Sequence, residues 1–150
     1  MNRLNRKLEY ALMSLQYLAD VPEGQKVSAK DVCDHTGSPF DATARVMQVM
    51  AQKGLLKSEQ GVKGGYILSK DLKSVTFLEL MEMILGPLEL AKCIGDPSAC
   101  EIVGKCNILR PINQLNAQLK MFYQRLSLAD ILKSQNHVHQ QDQEQVGSNV

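Results

Sequence analysis

Apolar residues recur at helical spacing in two stretches near the start of the chain. Residues 6–20 place leucine and alanine every three or four positions, and Pro22 ends this pattern. The second stretch begins after Ser28, a residue type that caps helices, and stops near Gly37. The pattern therefore predicts two amphipathic helices separated by a short connection.

A third helix is predicted from Ser38 to about Lys53. Ser38 is placed as its cap, Pro39 suits the first helical position, and Gly54 provides the stop. The apolar positions form a wide face that we expect to be buried: Phe40, Ala44, Val46, Met47, Val49, Met50 and Ala51. The polar positions form the opposite stripe: Asp41, Arg45, Gln48 and Gln52.

Two short strands follow the third helix. They are Leu55–Ser58 and Tyr66–Ser69, and a glycine-rich turn over residues 61–65 joins them. Three helices followed by a hairpin predict a winged helix-turn-helix. In that fold the third helix enters the major groove of DNA, and the wing lies along the backbone or the minor groove.

The second half of the chain begins with a further helix signal. Thr76 and Glu79 have the spacing of a capping box, and Gly86-Pro87 closes the helix that they start. Residues 90–106 contain glycine and proline without periodicity, which predicts a loop.

A long helix is predicted after this loop. Its apolar residues alternate at three and four positions over two heptads: Ile112, Leu115, Leu119, Phe122 and Leu126. A single winged domain offers no obvious place to bury this seam, so we interpret the helix as a dimerisation helix. Ser127 is expected to cap a last helix through Leu132.

The predicted fold class is mainly α, a winged helix-turn-helix with a two-stranded wing, a cysteine loop and a long dimerisation helix. Residues 1–75 are assigned to the DNA-binding domain, and residues 76–133 to the cysteine loop and dimerisation helices. Residues 134–150 are rich in glutamine and poor in apolar residues, which predicts a disordered polar tail.

Net charge changes this picture only slightly. The whole chain carries a formal charge of +1, with a basic bias in the first 75 residues and an acidic bias in the rest. DNA binding would therefore depend on a few placed contacts rather than on a polycationic surface. No apolar run has the length of a membrane span or signal peptide, so we expect a cytoplasmic protein with reduced thiols and no membrane partner.

The side chains of the third helix and the wing provide the candidate DNA contacts. Arg45 and Gln48 can pair with guanine and adenine edges, whereas Thr43, Lys57 and Lys63 suit phosphates. The predicted DNA-binding set is completed by Ser38, Asp41, Gly64, Gly65 and Tyr66. The polar stripe by itself is also consistent with an ordinary amphipathic surface helix. No enzyme signature or phosphate-binding loop is present, so we expect neither catalysis nor a small-molecule substrate.

Three of the four cysteines lie close together in the sequence. Cys93, Cys100 and Cys106 are separated by six and five residues, gaps that do not match the close ligand pairs of zinc sites. A loop with longer gaps can wrap around an iron–sulfur cluster of the 4Fe-4S or 2Fe-2S type. Three thiolates would leave one ligand position unfilled. The alternative is that these are incidental reduced thiols.

Six segments within about residues 4–133 form a recognisable combination: residues 9–12, 27–32, 53–56, 61–68 and 86–88, and the three-cysteine loop running into Leu109-Arg110-Pro111. In these segments the chain resembles the family of bacterial winged-helix regulators that includes IscR, NsrR and RirA. The resemblance implies homodimers that bind palindromic DNA operators and carry an iron–sulfur cluster on the three cysteines.

The resemblance also suggests a fourth cluster ligand. In the IscR-like branch this ligand is a histidine, but the corresponding residue here is Leu109. In the NsrR-like branch it is an acidic residue of the first helix of the partner subunit, and Glu9 stands at that position. The resemblance therefore implies Glu9, Cys93, Cys100 and Cys106 as the cluster ligands, although Glu9 is also consistent with an ordinary exposed charge.

The function expected from these patterns is that of a homodimeric transcriptional regulator, most simply a repressor. Its operator affinity would depend on an iron–sulfur cluster that senses nitric oxide, redox state or iron. Two alternatives remain open at this point: a cluster-free thiol-based regulator of the same fold, and an electron-transfer or cluster-carrier protein.

Overall fold

Helices make up most of residues 3–133, the part of the chain that the computed structural model describes. The predicted disordered tail, residues 134–150, lies outside the described residues. The helices are α1 Arg6–Asp20, α2 Ala29–Thr36, α3 Phe40–Gln52, α4 Phe77–Leu85, α5 Lys92–Gly95, α6 Leu109–Arg125 and α7 Leu128–Lys133. The strands β1 Leu56–Glu59 and β2 Gly65–Leu68 form one antiparallel sheet. The mainly α prediction with a two-stranded wing is confirmed.

Two helices begin at capping boxes, as their sequences predict. The Ser28 hydroxyl accepts a hydrogen bond from the Asp31 N–H at 3.1 Å, and the Asp31 carboxylate accepts one from the Ser28 N–H at 2.8 Å. Thr76 and Glu79 make the same reciprocal pair at the start of α4. Each box satisfies backbone N–H groups that a helix N-terminus leaves without intrahelical partners.

The start of α3 corrects two predictions. The N-cap residue is Pro39 rather than Ser38, and it makes no side-chain capping bond. Ser38 is 9% exposed, and its hydroxyl oxygen lies 2.8 Å from those of Thr36 and Thr43. Phe40, which was expected to be buried, is 56% exposed. As the first residue of the helix it projects past the edge of the packed core.

One hydrophobic core joins the two halves of the chain. Its fully buried members include Leu8 and Leu15 of α1, Met47 of α3, Leu80 of α4 and Leu128 of α7. Backbone hydrogen bonds also attach the start of α7 to residues 72–75, at 3.1 and 2.9 Å. Helices α4 and α7 are therefore packed on the winged domain.

The wing is fastened to the connection between α1 and α2. Strands β1 and β2 pair with Leu56 opposite Leu68, within one residue of the predicted hairpin. The N–H of Val27 donates to the Tyr66 carbonyl at 2.9 Å, and the Tyr66 N–H donates back to the Val27 carbonyl at 2.8 Å. A Cβ atom on Gly65 would lie 3.0 Å from the Val27 backbone, so this close approach requires glycine.

Residues 90–106, hereafter the cysteine segment, lie between α4 and α6. The segment was predicted as an aperiodic loop, but it contains the four-residue helix α5 and two 3-10 turns, Pro97–Ala99 and Val103–Lys105. Elements this short cannot display a helical repeat in the sequence, which explains the error. No helix among residues 3–133 is long and apolar enough to cross a bilayer.

Candidate nucleic-acid interface and cysteine segment

The outer side of α3 carries an exposed polar stripe. Asp41, Arg45 and Gln48 are all exposed, because the opposite side of the helix is buried through Val46, Met47 and Met50. Within residues 3–133 these three polar side chains make no hydrogen bond or ion pair with one another or with a neighbour. Their hydrogen-bond donors and acceptors are therefore free to bind another molecule.

Arg45 lies at the edge of α3 that faces α1 and α4. It lines a cavity of about 320 Å³ together with Lys7, Asp41, Val49 and Ile84. Lys7 was not among the predicted DNA contacts, since nothing in the local pattern links residue 7 to the third helix. The fold places these two basic residues beside the same cavity.

Thr43 and Ser38 do not belong to this exposed surface. Thr43 is completely buried, and its hydroxyl lies 2.8 Å from that of Ser38. The two hydroxyls join the end of α2 to the start of α3, together with Thr36. The prediction that the Thr43 side chain meets a phosphate is inconsistent with this burial, and the 9% exposure of Ser38 leaves it little contact surface.

The wing presents lysines of two kinds. Lys63 at its tip is exposed and makes no side-chain ion pair within the described part of the chain. Lys57 lies 3.7 Å from the Glu59 carboxylate, which also pairs with Lys26. The hydrogen bond and charge of Lys26 lower the pKa of Glu59. Lys63 is therefore the lysine of the hairpin that is free to contact a phosphate.

Gly64, Gly65 and Tyr66 have structural explanations apart from any DNA contact. A Cβ atom on Gly64 would lie 2.7 Å from the Glu59 carbonyl oxygen, a distance that a real side chain cannot adopt without movement of the turn. Gly65 and Tyr66 form the close pairing with Val27 described above. These residues shape the wing, and the half-buried Tyr66 ring is packed against the core.

The three clustered cysteines are free thiols of intermediate burial. Cys93 lies in α5, Cys100 follows the first 3-10 turn, and Cys106 follows the second. Soft thiolate donors suit an iron–sulfur cluster, so the chemistry of the donor set fits such a group. Among residues 3–133 no group of three or more His, Cys, Asp or Glu side chains is close enough to hold a single metal ion.

Glu9 lies on α1, with its side chain 28% exposed. Its carboxylate accepts a hydrogen bond from the Arg6 guanidinium at 2.9 Å, as an exposed helical ion pair commonly does. Glu9 also borders a cavity of about 520 Å³ that Met13 and His35 help to line. The described chain does not bring Glu9 and the cysteines together as one metal-ligand group.

Helix α6 leaves part of its apolar seam uncovered. Leu115 is 50% exposed and Phe122 is 57% exposed, while Asn116 is the buried residue of this helix. Leu126, predicted as part of the seam, is instead the C-cap residue, and its carbonyl accepts a hydrogen bond from Phe77 at 2.8 Å. The seam therefore ends at Phe122. The role of Asn116 was missed because one polar residue in a helix gives no sequence signal of burial.

Comparisons with known proteins agree with this architecture. Residues 4–134 match the Rrf2 family, described as iron-dependent transcriptional regulators. A protein of Aquifex aeolicus named as an HTH-type transcriptional regulator is 23% identical over 127 residues, which cover 83% of this chain and 88% of that protein.

Solved structures show the same fold. CymR, the global cysteine regulator of B. subtilis, aligns with a TM-score of 0.68 at 19% identity, over 89% of this chain and 98% of CymR. IscR of T. potens aligns with a TM-score of 0.63 at 20% identity, over 89% and 88% of the two chains. The match to the family profile spans most of the sequence, so this chain belongs to the Rrf2 family of DNA-binding transcriptional regulators.

Proposed function

We propose that this regulator is a homodimeric repressor whose affinity for a palindromic operator depends on an iron–sulfur cluster. The observation that carries the proposal is the set of three free, partly exposed thiols at positions 93, 100 and 106. They lie within one segment that is attached to α6 by the hydrogen bond between Leu90 and Asn116. The iron-dependent character of the family supports the choice of cofactor.

The DNA-binding surface in this proposal consists of α3 and the wing. Arg45 and Gln48 would read base edges in the major groove, where guanine and adenine present matching donor and acceptor pairs. Asp41 adjoins them on the same exposed face. Lys63 would contact a phosphate that flanks the groove, and Lys57 would do so after leaving its exposed ion pair with Glu59.

The proposed dimer uses the exposed seam of α6. Leu115 and Phe122 lie seven positions apart, so they repeat along one side of the helix, with Ile112 and Leu119 beside them. A second copy of the same face would remove these side chains from water. Phe122→Glu should therefore produce a monomer in sedimentation velocity, whereas Gln124→Glu should remain dimeric. A monomeric wild-type protein would contradict this part of the proposal.

The cysteine segment would communicate with the DNA-binding surface through α6, to which both of its ends are attached. It begins beside Asn116 of α6 and continues into the first turn of the same helix. Cys93, Cys100 and Cys106 would hold the cluster, with Glu9 of the partner subunit as the fourth ligand, as in the NsrR-like branch. A bound iron–sulfur cluster supplies a centre that reacts with nitric oxide and oxidants.

The experiment is an anaerobic preparation of the full chain after reconstitution with iron and sulfide. We expect visible absorption bands, matching iron and sulfide contents, and a dimer mass that includes the cluster by native mass spectrometry. Serine at any one of the three cysteines should reduce the iron content, whereas Cys33→Ser, which changes the remaining cysteine, should not. A colourless, iron-free wild-type protein would overturn the proposal.

A second candidate is a thiol-based regulator without a cluster. The specific observation in its favour is that Cys93, Cys100 and Cys106 are free thiols of intermediate burial, so oxidants can reach them. It predicts that oxidation of metal-free protein changes DNA affinity and that reductant reverses the change. Iron and sulfide contents near zero combined with such a redox response would select this candidate.

A further inference from the structure

An aromatic side chain stands exposed at the entry point of α3. Phe40 is the first residue of this helix and is 56% exposed. Among the described residues of α3 it is the one large apolar side chain on the surface. It follows Pro39 and precedes the polar stripe that begins at Asp41.

Helical geometry places Phe40 on the same side of α3 as Gln48, one of the residues proposed to read bases. At about 100° per residue, the direction of Gln48 lies within roughly a quarter turn of that of Phe40, and Ala44 lies between them. The exposed side of α3 therefore combines a polar strip with an apolar edge. This arrangement differs from that of a helix whose outer side is only solvated.

Single exposed apolar residues are common on protein surfaces and need no explanation by themselves. The position of Phe40 is what matters, because the N-terminal residues of a recognition helix are those that reach base edges. In the major groove, thymine presents a C5-methyl group, the apolar feature of its edge. A phenyl ring matches that methyl group and offers no hydrogen bond to the other bases.

We propose that Phe40 is a specificity-determining residue that contacts a thymine methyl group in each half-site of the operator. This inference rests on the proposed use of α3 as the DNA-reading helix and adds one base preference to it. Gln48 lies on the same side about 12 Å further along the helix axis and has the donor and acceptor that pair with adenine. We therefore expect a thymine position at the start of α3 and a separate adenine position further along the helix.

The first experiment selects binding sites from a random DNA library with the anaerobically purified full chain. Wild-type protein should enrich thymine at one position of each half-site. Phe40→Ala should still select a site but accept any base at that position, and Phe40→Leu should retain part of the thymine preference. Because Phe40 is exposed, both variants should keep the circular dichroism spectrum and oligomeric state of the wild type.

The second experiment replaces that thymine with deoxyuridine, which lacks only the methyl group. We expect about fourfold weaker wild-type binding per half-site, the factor for losing one buried methylene-sized group. Phe40→Ala should bind the thymine and uracil sites equally. Deoxyuridine at thymines outside the selected position should change neither affinity.

Three results would overturn the inference. The first is that replacing thymine with deoxyuridine does not change wild-type affinity. The second is that Phe40→Ala loses as much affinity as the wild type on this replacement. The third is that Phe40→Ala dissociates the dimer, which would place the ring at a protein interface. Each of these results is compatible with site-specific DNA binding by the wild-type protein. Failure of the wild-type protein to enrich any site would instead contradict the proposed function.

Discussion

The side-chain oxygen of Asn116 accepts a hydrogen bond from the backbone N–H of Leu90 at 3.0 Å. Asn116 is 5% exposed, and Leu90 is the first residue of the cysteine segment. This contact fixes the start of the segment to the middle of α6. The helix and the segment that precedes it are thus held by a side chain as well as by the chain connection.

Replacement of Asn116 tests this attachment. Asn116→Ala should lower the free energy of unfolding by about 1–3 kcal/mol, because it leaves the Leu90 N–H without its partner in a partly buried position. Urea denaturation of the metal-free protein measures the change. Asn113→Ala, at an exposed position of the same helix, should change stability by less than about 0.5 kcal/mol. Equal effects of the two substitutions would contradict the prediction.

The close approach of the wing to Val27 gives a second prediction. Gly65→Ala would place a Cβ atom 3.0 Å from the Val27 backbone, so the paired hydrogen bonds must shift. We expect a loss of about 1–3 kcal/mol, as for other overpacked sites, measured by thermal or urea unfolding. Gly104→Ala is the matched control, because a Cβ there meets nothing within 4 Å. A neutral Gly65→Ala would show that the wing is not held against this connection.

Glu9 can be tested separately from its ion pair. Glu9→Ala should leave a folded dimer with a weakened or absent cluster, because the substitution removes the proposed fourth ligand. Arg6→Ala removes the guanidinium that pairs with Glu9 but keeps the carboxylate, so its iron content should match that of the wild type. Anaerobic absorption and iron analysis compare the two variants. Glu9 is not a ligand if both retain the wild-type spectrum.

The proposed division between base-reading and phosphate-contacting residues predicts different responses to salt. Arg45→Ala should weaken specific binding by about 1–3 kcal/mol and relax one base preference. Lys63→Ala should weaken binding to all sequences and reduce the salt slope by about one per subunit. Lys120→Ala, which removes a lysine from α6 near Glu82, serves as the charge-matched control. Fluorescence anisotropy at several salt concentrations measures all three.

The capping box of α2 predicts a pH dependence of stability. Hydrogen bonds from the Ser28 hydroxyl and backbone lower the pKa of Asp31. Since the folded pKa lies below the unfolded one, this stabilisation is present at neutral pH and is lost as pH falls through the lowered folded value. The stability difference between wild type and Asp31→Asn should therefore shrink between pH 7 and pH 2. When Ser28 is replaced by alanine in both proteins, the effect of Asp31→Asn on stability at pH 7 should be smaller. Thermal unfolding of the four proteins measures this effect.

Local signals in the sequence predicted the helix starts at Ser28 and Thr76, because a capping box involves only residues three positions apart. The same reasoning failed at Ser38. Its hydroxyl meets Thr36 and Thr43, and whether a serine caps a helix or joins such a buried group depends on how α2 packs on α3. Periodicity likewise could not show that Phe40 is exposed.

The candidate site was predictable in part. The identities of the cysteines and of Arg45 can be read from the chain, but the exposure of each side chain depends on tertiary packing. Thr43 illustrates this, since a polar residue in a polar-looking helix start proved to be completely buried. Asn116 illustrates the opposite case, because its partner is the backbone of Leu90, which is distant in sequence.

The stretch of chain that contains α4, the cysteine segment and α6 begins and ends at neighbouring positions. Thr76 and Ser127 form an isolated bridge, and the Phe77 N–H donates to the Leu126 carbonyl at 2.8 Å. The start of α4 and the end of α6 are therefore held together by adjacent backbone contacts. In the proposed dimer, a tilt of α6 would be transmitted to the winged domain through the contacts at Thr76 and Ser127. The rigidity of these contacts would determine how far the DNA-binding surface moves.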